Sequence, residues 1–243
     1  MSRRNTAQDI THLAEGKVIY LLVFVAAVQT LYPITAQGSL AATIGYQIIY
    51  AGLLVTGVLL ARDTPFHAHA LTVLGIVWLA AVLLFDFNQT AVWTQLVAYG
   101  ALFLFQGMVI QVMLRFIFVA RRVTRDVLYA AVAVYFLLGA LFVPVFGVLE
   151  SVTLAQTGGH AFVDNVVEMA ESPLSWQNLV YYSYITLTTA GYGDILPVTL
   201  WARSFASLEA IVGVLYLTII VARLVGLYAA SDIEPEIIEE QKR

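Results

Sequence analysis

No cysteine occurs in the 243 residues. Disulfides, thiolate metal sites and cysteine nucleophiles are therefore excluded. Charge is scarce: Asp, Glu, Lys and Arg make up 12% of the chain, about half of what a soluble domain carries. The net charge is only −4, so no broad positive field attracts nucleic acid. No low-complexity tract, internal repeat or linker divides the chain. No nucleophile, base and orienting acid fall together, so an enzyme is not expected. His67, His69 and His160 lack metal-site spacing and are read as interfacial. What is abundant is apolar: 60% of residues, against roughly 45–50% in soluble domains. Soluble enzyme, nucleic-acid-binding module and disordered chain are all excluded. A polytopic membrane protein remains.

Crossing a ~30 Å hydrocarbon core takes about 20 apolar residues at 1.5 Å each. Six runs qualify: Val18–Gln37, Leu40–Ala61, Ala70–Phe87, Ala91–Leu114, Val127–Leu149 and Ser204–Tyr228. Short polar separators lie between them, including Asn88-Gln89-Thr90, which also fits the common glycosylation pattern. Arg3-Arg4 could open a cleaved signal peptide, but the first run starts late and no small-residue cleavage site follows. With six spans both termini share one side. Placing them in the cytoplasm puts eleven of the twelve Lys and Arg residues inside or at inner helix ends, leaving only Arg203 outside. This is the positive-inside pattern.

Ser175–Thr189 is moderately apolar, rich in aromatics and too short to span. Ser175 is a plausible N-cap. A helix over Trp176–Leu187 is expected, ~18 Å long. It runs into Thr188-Thr189-Ala190-Gly191-Tyr192-Gly193-Asp194, which cannot stay helical. Irregular backbone at membrane depth survives only where protein packs it or it lines water. A re-entrant loop between the fifth and sixth spans is the reading, on the outer side. Two glycines two apart open conformations closed to other residues. A strand with its carbonyls turned one way can replace a cation's hydration shell. The Thr189 hydroxyl can add a ligand. One strand supplies one oxygen per level, so several chains must surround the ion.

This string, TTAGYGD, resembles the selectivity filter of tetrameric potassium channels. Tyr181-Tyr182-Ser183 resembles the family's pore helix. Pro197-Val198-Thr199-Leu200-Trp201 and Arg203 resemble the start of the inner helix in small bacterial members. Gly213 falls at the family's inner-helix hinge position. The likeness covers Ser175 to Tyr228. It implies potassium ions held by the backbone oxygens of Thr189, Ala190, Gly191 and Tyr192, with Tyr181, Tyr182, Gly193 and Asp194 supporting the filter. Two positions depart from the pattern. Ala190 replaces the usual Val or Ile, removing two methyl groups behind the filter. Ile185 stands where some small bacterial members pair a Glu with the filter Asp, so Asp194 needs another donor. Tyr181 resembles in position the Trp that plays this part in voltage-gated relatives.

Other residues are weighed against plainer roles. Glu209, two turns into the sixth span, is either a gating carboxylate touching the pore helix or a hydrogen-bonded structural acid. Arg115, Arg121, Arg122 and Arg125 lie beyond the apolar run Ala91–Leu114, which holds no Arg or Lys. They read as cytoplasmic anchors, Arg121, Arg122 and Arg125 with possible lipid contacts, and not as a voltage sensor. Asp164, Glu168 and Glu171 form either an acidic vestibule or a solvated loop. Gln106 and Gln111 read as inter-helix hydrogen bonds. Val214, Leu217, Val221 and Val225 share one face of the sixth span and with Gly213 are candidate gating residues.

The expected architecture is an all-α membrane protein with six transmembrane helices, a pore helix and a filter loop. The expected organisation is a non-voltage-sensing four-helix unit over 1–126, a pore domain over 127–229 and a short acidic cytoplasmic tail over 230–243. No attached nucleotide- or calcium-binding domain is expected at either end. The expected function is a homotetrameric, passive, weakly voltage-dependent potassium channel of the cell membrane, without a cofactor. Alternatives are a poorly selective cation channel, a secondary transporter or a non-conducting regulatory subunit. A transporter commonly carries paired interrupted segments, and this chain has one.

Overall fold

A computed structural model describes residues 16–37, 40–62, 65–87, 92–165 and 174–240. The elements are α1 (Val18–Leu31), a 3-10 turn (Tyr32–Gln37), α2 (Leu40–Leu60), α3 (Pro65–Phe87), α4 (Val92–Val119), α5 (Arg125–Thr157), β1 (Phe162–Asp164), α6 (Trp176–Leu187), β2 (Ile195–Pro197) and α7 (Leu200–Glu240). The protein is mostly helical. Four helices are long and apolar enough to cross a membrane, and α1 reaches that length with its 3-10 turn; the apolar part of α3, Phe66–Val82, is shorter.

Several boundaries differ from the sequence expectation for local reasons. The first run was expected to stay helical to Gln37, but α1 ends at Leu31 and a 3-10 turn follows. Pro33 has no N–H to give and its ring crowds the preceding turn. The helix α3 starts five residues early, with Pro65 at its first position, where a missing N–H costs nothing. The helix α5 begins at a Thr124 cap that accepts from Val127 N at 3.3 Å, and it continues to Thr157. Gly158 closes it in the left-handed conformation, its N–H bonding Leu154 O at 3.0 Å. The last helix runs on to Glu240.

The strands β1 and β2 form a two-stranded antiparallel sheet across α6, pairing Phe162 with Pro197 and Asp164 with Ile195. It is the one departure from an all-helical fold among the described residues.

The helix α5 is the spine. Helices α1, α4, α6 and α7 all pack on it. One core, with Leu21, Leu53, Phe105, Ile117, Val134 and Leu137 at its centre, joins α1, α2, α4 and α5. A second, around Phe146, Phe162, Leu179, Tyr182 and Ala202, joins α5, α6, the strand pair and the start of α7. Phe146, Phe162 and Tyr182 meet edge-to-face at 5.1–5.4 Å. Each such contact adds about 0.5–1.5 kcal/mol beyond burial. This triangle fixes α6 against both neighbours. By contrast, most of α7 faces away from the chain.

Candidate functional site

The helix α6 occupies Trp176–Leu187, capped by the Ser175 hydroxyl accepting from Asn178 N at 3.3 Å. Its last carbonyls have no helical partners of their own. The following loop supplies them. Thr188 N bonds Tyr184 O at 3.1 Å, Thr189 N bonds Thr186 O at 2.9 Å, and both Ala190 N and Gly191 N turn back to Ile185 O, at 2.8 and 3.2 Å. The loop is thereby fastened to the helix end through its amides. Its carbonyls are left over: among the described residues nothing donates to the oxygens of Thr189, Ala190, Gly191 or Tyr192.

The backbone alternates in sign. Thr189, Gly191 and Gly193 have φ of 57°, 52° and 81°, while Ala190 and Tyr192 keep negative φ. Alternation of this kind turns successive peptide groups the same way and builds a concave row of like dipoles. Gly191 and Gly193 adopt positive φ without steric cost. Thr189 does not: a β-branched residue there is strained by about 1–2 kcal/mol. Strain of this type clusters at functional sites. The sequence offered no sign of it, since threonine ordinarily marks extended backbone.

Asp194 and Tyr181 meet at the far end of the loop. The Tyr181 hydroxyl donates to Asp194 Oδ2 at 2.5 Å, and Ile195 N donates to Oδ1 at 3.0 Å. The Tyr181 and Tyr192 rings stack at 6.5 Å. Just after β1, Asn165 N reaches Asp194 O at 2.7 Å. The Tyr181 hydrogen bond holds the Asp194 carboxyl below its ordinary 3.8, and the same bond pushes the Tyr181 phenol up to about 12. A depressed acid stabilises the fold above its unfolded pKa and loses that stabilisation as pH falls through the folded value. A raised phenol contributes below about 10 and loses its contribution between about 10 and 12. The contact is thus constant through neutral pH. Thermal melting from about pH 3 to 8 is expected to show a smaller acid loss for Tyr181→Phe than for the parent. Superimposable profiles would show that the bond does not stabilise the loop.

Behind the loop lies Glu209, 0% exposed on α7. The Ser183 hydroxyl stands 2.5 Å from Glu209 Oε1 and 2.7 Å from Gly139 O. One hydroxyl proton cannot serve both acceptors at once. With a proton on Glu209 both contacts form: the acid donates to Ser183 Oγ and Ser183 donates to Gly139 O. This ties α5, α6 and α7 together one layer behind the loop.

Gly213 lies on the same helix, where a Cβ would sit 2.2 Å from Leu187 O. The helix is continuous across Gly213, so what demands glycine in this structure is the close approach of α7 to the end of α6. Val214, Leu217, Val221 and Val225 are 50%, 46%, 57% and 63% exposed. They form an apolar face that the chain itself does not cover.

Sequence reasoning missed the part played by Arg223. Its guanidinium donates to Ile117 O at 3.2 Å, Phe118 O at 2.6 Å and Ala120 O at 3.0 Å, and lies 5.0 Å over the Phe118 ring. It caps the open carbonyls at the end of α4. Of the remaining candidates Asp164 adjoins the loop, opposite Ile195 in the strand pair. Arg115, Arg121, Arg122 and Arg125 are exposed around the α4–α5 connection. Gln106 Nε2 donates to Tyr50 Oη across to α2 at 3.4 Å, whereas Gln111 is exposed. Asp164 is on β1; Glu168, Glu171 and Asn88-Gln89-Thr90 fall outside the described residues. Among the described residues no three His, Asp or Glu side chains gather as a metal site. His160 instead meets Glu150 at 2.6 Å, whose other oxygen accepts from Ala161 N at 2.8 Å.

Residues 131–229 match a family model described as "Ion channel". The matched stretch takes in most of α5, all of α6, the loop and α7 as far as Ala229. It supports an ion-channel pore domain there, in a multi-pass membrane protein. No curated protein and no solved structure matches the chain.

Proposed function

We propose that this chain forms a potassium-selective channel, four copies surrounding one conduction path. The observation that carries the reading is the row of four consecutive carbonyls, Thr189 to Tyr192, that receive no hydrogen bond among the described residues while the amides of Thr189, Ala190 and Gly191 are fastened to α6. Such oxygens can take the place of water around a dehydrated cation. One chain gives a single column, and four columns complete the cage. The uncovered apolar length of α7 supports the same conclusion, since it needs partner copies or lipid against it. Tyr181, Tyr182, Gly193 and Asp194 hold the column upright. No covalent chemistry is involved.

In this reading the protein sits in the cell membrane with six spans and α6 re-entrant. Both termini are cytoplasmic, with Arg121, Arg122 and Arg125 at the lipid headgroups. Residues 1–126 form a unit that is not a voltage sensor, 127–229 form the pore domain and 230–243 a cytoplasmic tail. Recording from purified protein in a bilayer, with potassium and sodium opposed, tests the assignment. The current is expected to reverse near the potassium potential and to open with little voltage dependence, because α4 carries no cation within Val92–Leu114. Moving one charge through 100 mV is worth about 2.3 kcal/mol, and steep gating needs several. Reversal midway between the two potentials would favour the second reading, a poorly selective cation channel. The small, exposed side chain of Ala190 is the observation behind that alternative.

The apolar face of α7 supplies a place to close. Rings of Leu217 and Val221 can stop ions by dewetting. Leu217→Asn or Val221→Asn is expected to hydrate the constriction and raise open probability in single-channel records. Unchanged opening in intact tetramers would move the gate to the filter.

A further inference from the structure

Between the first four helices and the start of α6 lies a cavity of about 300 Å³. Its walls come from α1, α2, α3, α4, α5 and α6, so no short stretch of sequence announces it. Two features define its chemistry. One is aromatic. Tyr50 and Trp78 stack at 4.4 Å, and Tyr46 lies 5.6 Å from Trp176. The other is a set of amides. Gln29, Gln47, Gln95, Gln106 and Gln177 all line the space, and no Asp, Glu, Lys, Arg or His does.

Some of these amides are already committed. Gln95 Oε1 accepts from Ser151 Oγ at 2.7 Å, and Gln177 Nε2 donates to Thr35 Oγ1 at 3.1 Å. Three keep an open oxygen. Among the described residues the Oε1 atoms of Gln29, Gln47 and Gln106 are buried without a donor. Gln106 as a whole is only 2% exposed, held by its bond to Tyr50. A buried acceptor without a partner is destabilising, and folded proteins leave few of them. Three around one cavity point to donors arriving from outside the chain.

We infer that the cavity is a binding site for a neutral, planar aromatic molecule bearing at least two hydrogen-bond donors. The rings supply stacking faces, and the glutamine oxygens receive the donors. A charged ligand is disfavoured, because the lining offers no countercharge and burial removes its hydration. The volume stands at the lower end of the range for small-molecule sites. Trp176, Gln177 and Val180 form one wall, so the occupant touches the first turns of α6. The site stands on its own geometry and does not require that the chain conduct.

The test uses the full chain in lipid nanodiscs, with empty nanodiscs as the partition control. Resorcinol is the probe, a neutral ring with two O–H donors. Its comparators are 1,3-dimethoxybenzene, which has the same ring without donors, and 3-hydroxybenzoate, which is charged. Equilibrium dialysis is expected to find resorcinol bound at least about tenfold more tightly than either comparator, a difference of about 1.4 kcal/mol. Gln106→Leu and Gln47→Leu, on separate helices, should each weaken it by about tenfold while leaving the circular dichroism melt near that of the parent. If Gln106→Leu does not fold, Gln47→Leu decides. Equal binding of resorcinol and dimethoxybenzene would mean a merely apolar cavity, and no binding above the empty nanodiscs would mean a cavity for water alone. Either result, or an unaltered affinity in the folded glutamine variants, overturns the assignment.

Discussion

Gly213→Ala is expected to abolish potassium flux while the helices remain formed. The added methyl would lie 2.2 Å from Leu187 O and 3.1 Å from both Leu187 C and Leu187 Cδ1, where real Cβ contacts essentially never fall under 3.0 Å. The obstacle is backbone, so no side-chain rotation relieves it. Either α7 or the end of α6 must move by about an ångström, and close-packed interiors transmit such shifts. Overpacking of this kind costs about 1–3 kcal/mol, and here it recurs in every copy. Alanine gains at most about 1 kcal/mol over glycine in helix propensity, so the clash wins. Leu187 is two residues before Thr189, and displacement of its carbonyl carries the loop with it. Gly226→Ala is the control, because a Cβ at Gly226 on the same helix meets nothing within 4 Å. It should conduct as the parent does and melt slightly higher. Potassium flux into proteoliposomes reads both. Normal flux through Gly213→Ala would mean that α7 and α6 do not approach this closely in the working channel.

The second large effect is expected at Gly191. Its φ is 52°, with nothing within 4 Å of the place where a Cβ would go. Space is therefore not the difficulty; conformation is. Alanine there carries about 1–2 kcal/mol of left-handed strain. It relieves that strain by turning to negative φ, which reverses a peptide group in the column and points a carbonyl away from the ion. Gly191→Ala should lose selective flux altogether, with a melting temperature only slightly lowered. Gly158→Ala separates strain from function. Gly158 has φ 70° and equally open surroundings, but it caps α5 and is no part of the loop. It should pay the same conformational cost and keep its selectivity. If both variants remain selective, the carbonyl column is not the cation site.

These cases mark where sequence was informative. The bounds of α6 were legible because a serine cap and a glycine-rich run are local signals. The apolar runs announced helices, since hydropathy needs no tertiary context. Pro33 was passed over, because a hydropathy count does not register a missing N–H. Gly213 looked like a bend from its place in a familiar pattern; that it admits the Leu187 carbonyl depends on a partner 26 residues away in the chain. Thr189 gave no warning of its positive φ, which accompanies the loop's bonds back to Thr186 and Ile185. Gln106 was legible as an inter-helix hydrogen bond, but not as one of five amides around a common space, because those amides come from four different helices.

Arg223 has a bearing on the order in which the molecule can be built. Its three acceptors on and just after α4 lie 103–106 residues earlier in the chain. During synthesis the end of α4 is complete long before its cap exists. The core joining α1, α2, α4 and α5 draws almost wholly on residues already made by then, so the early helices can settle first, as segments commonly do on emerging from the ribosome. Contacts this distant in sequence close slowly. The Arg223 bond is therefore among the last to form, joining a bundle already assembled to the helix that arrives after it.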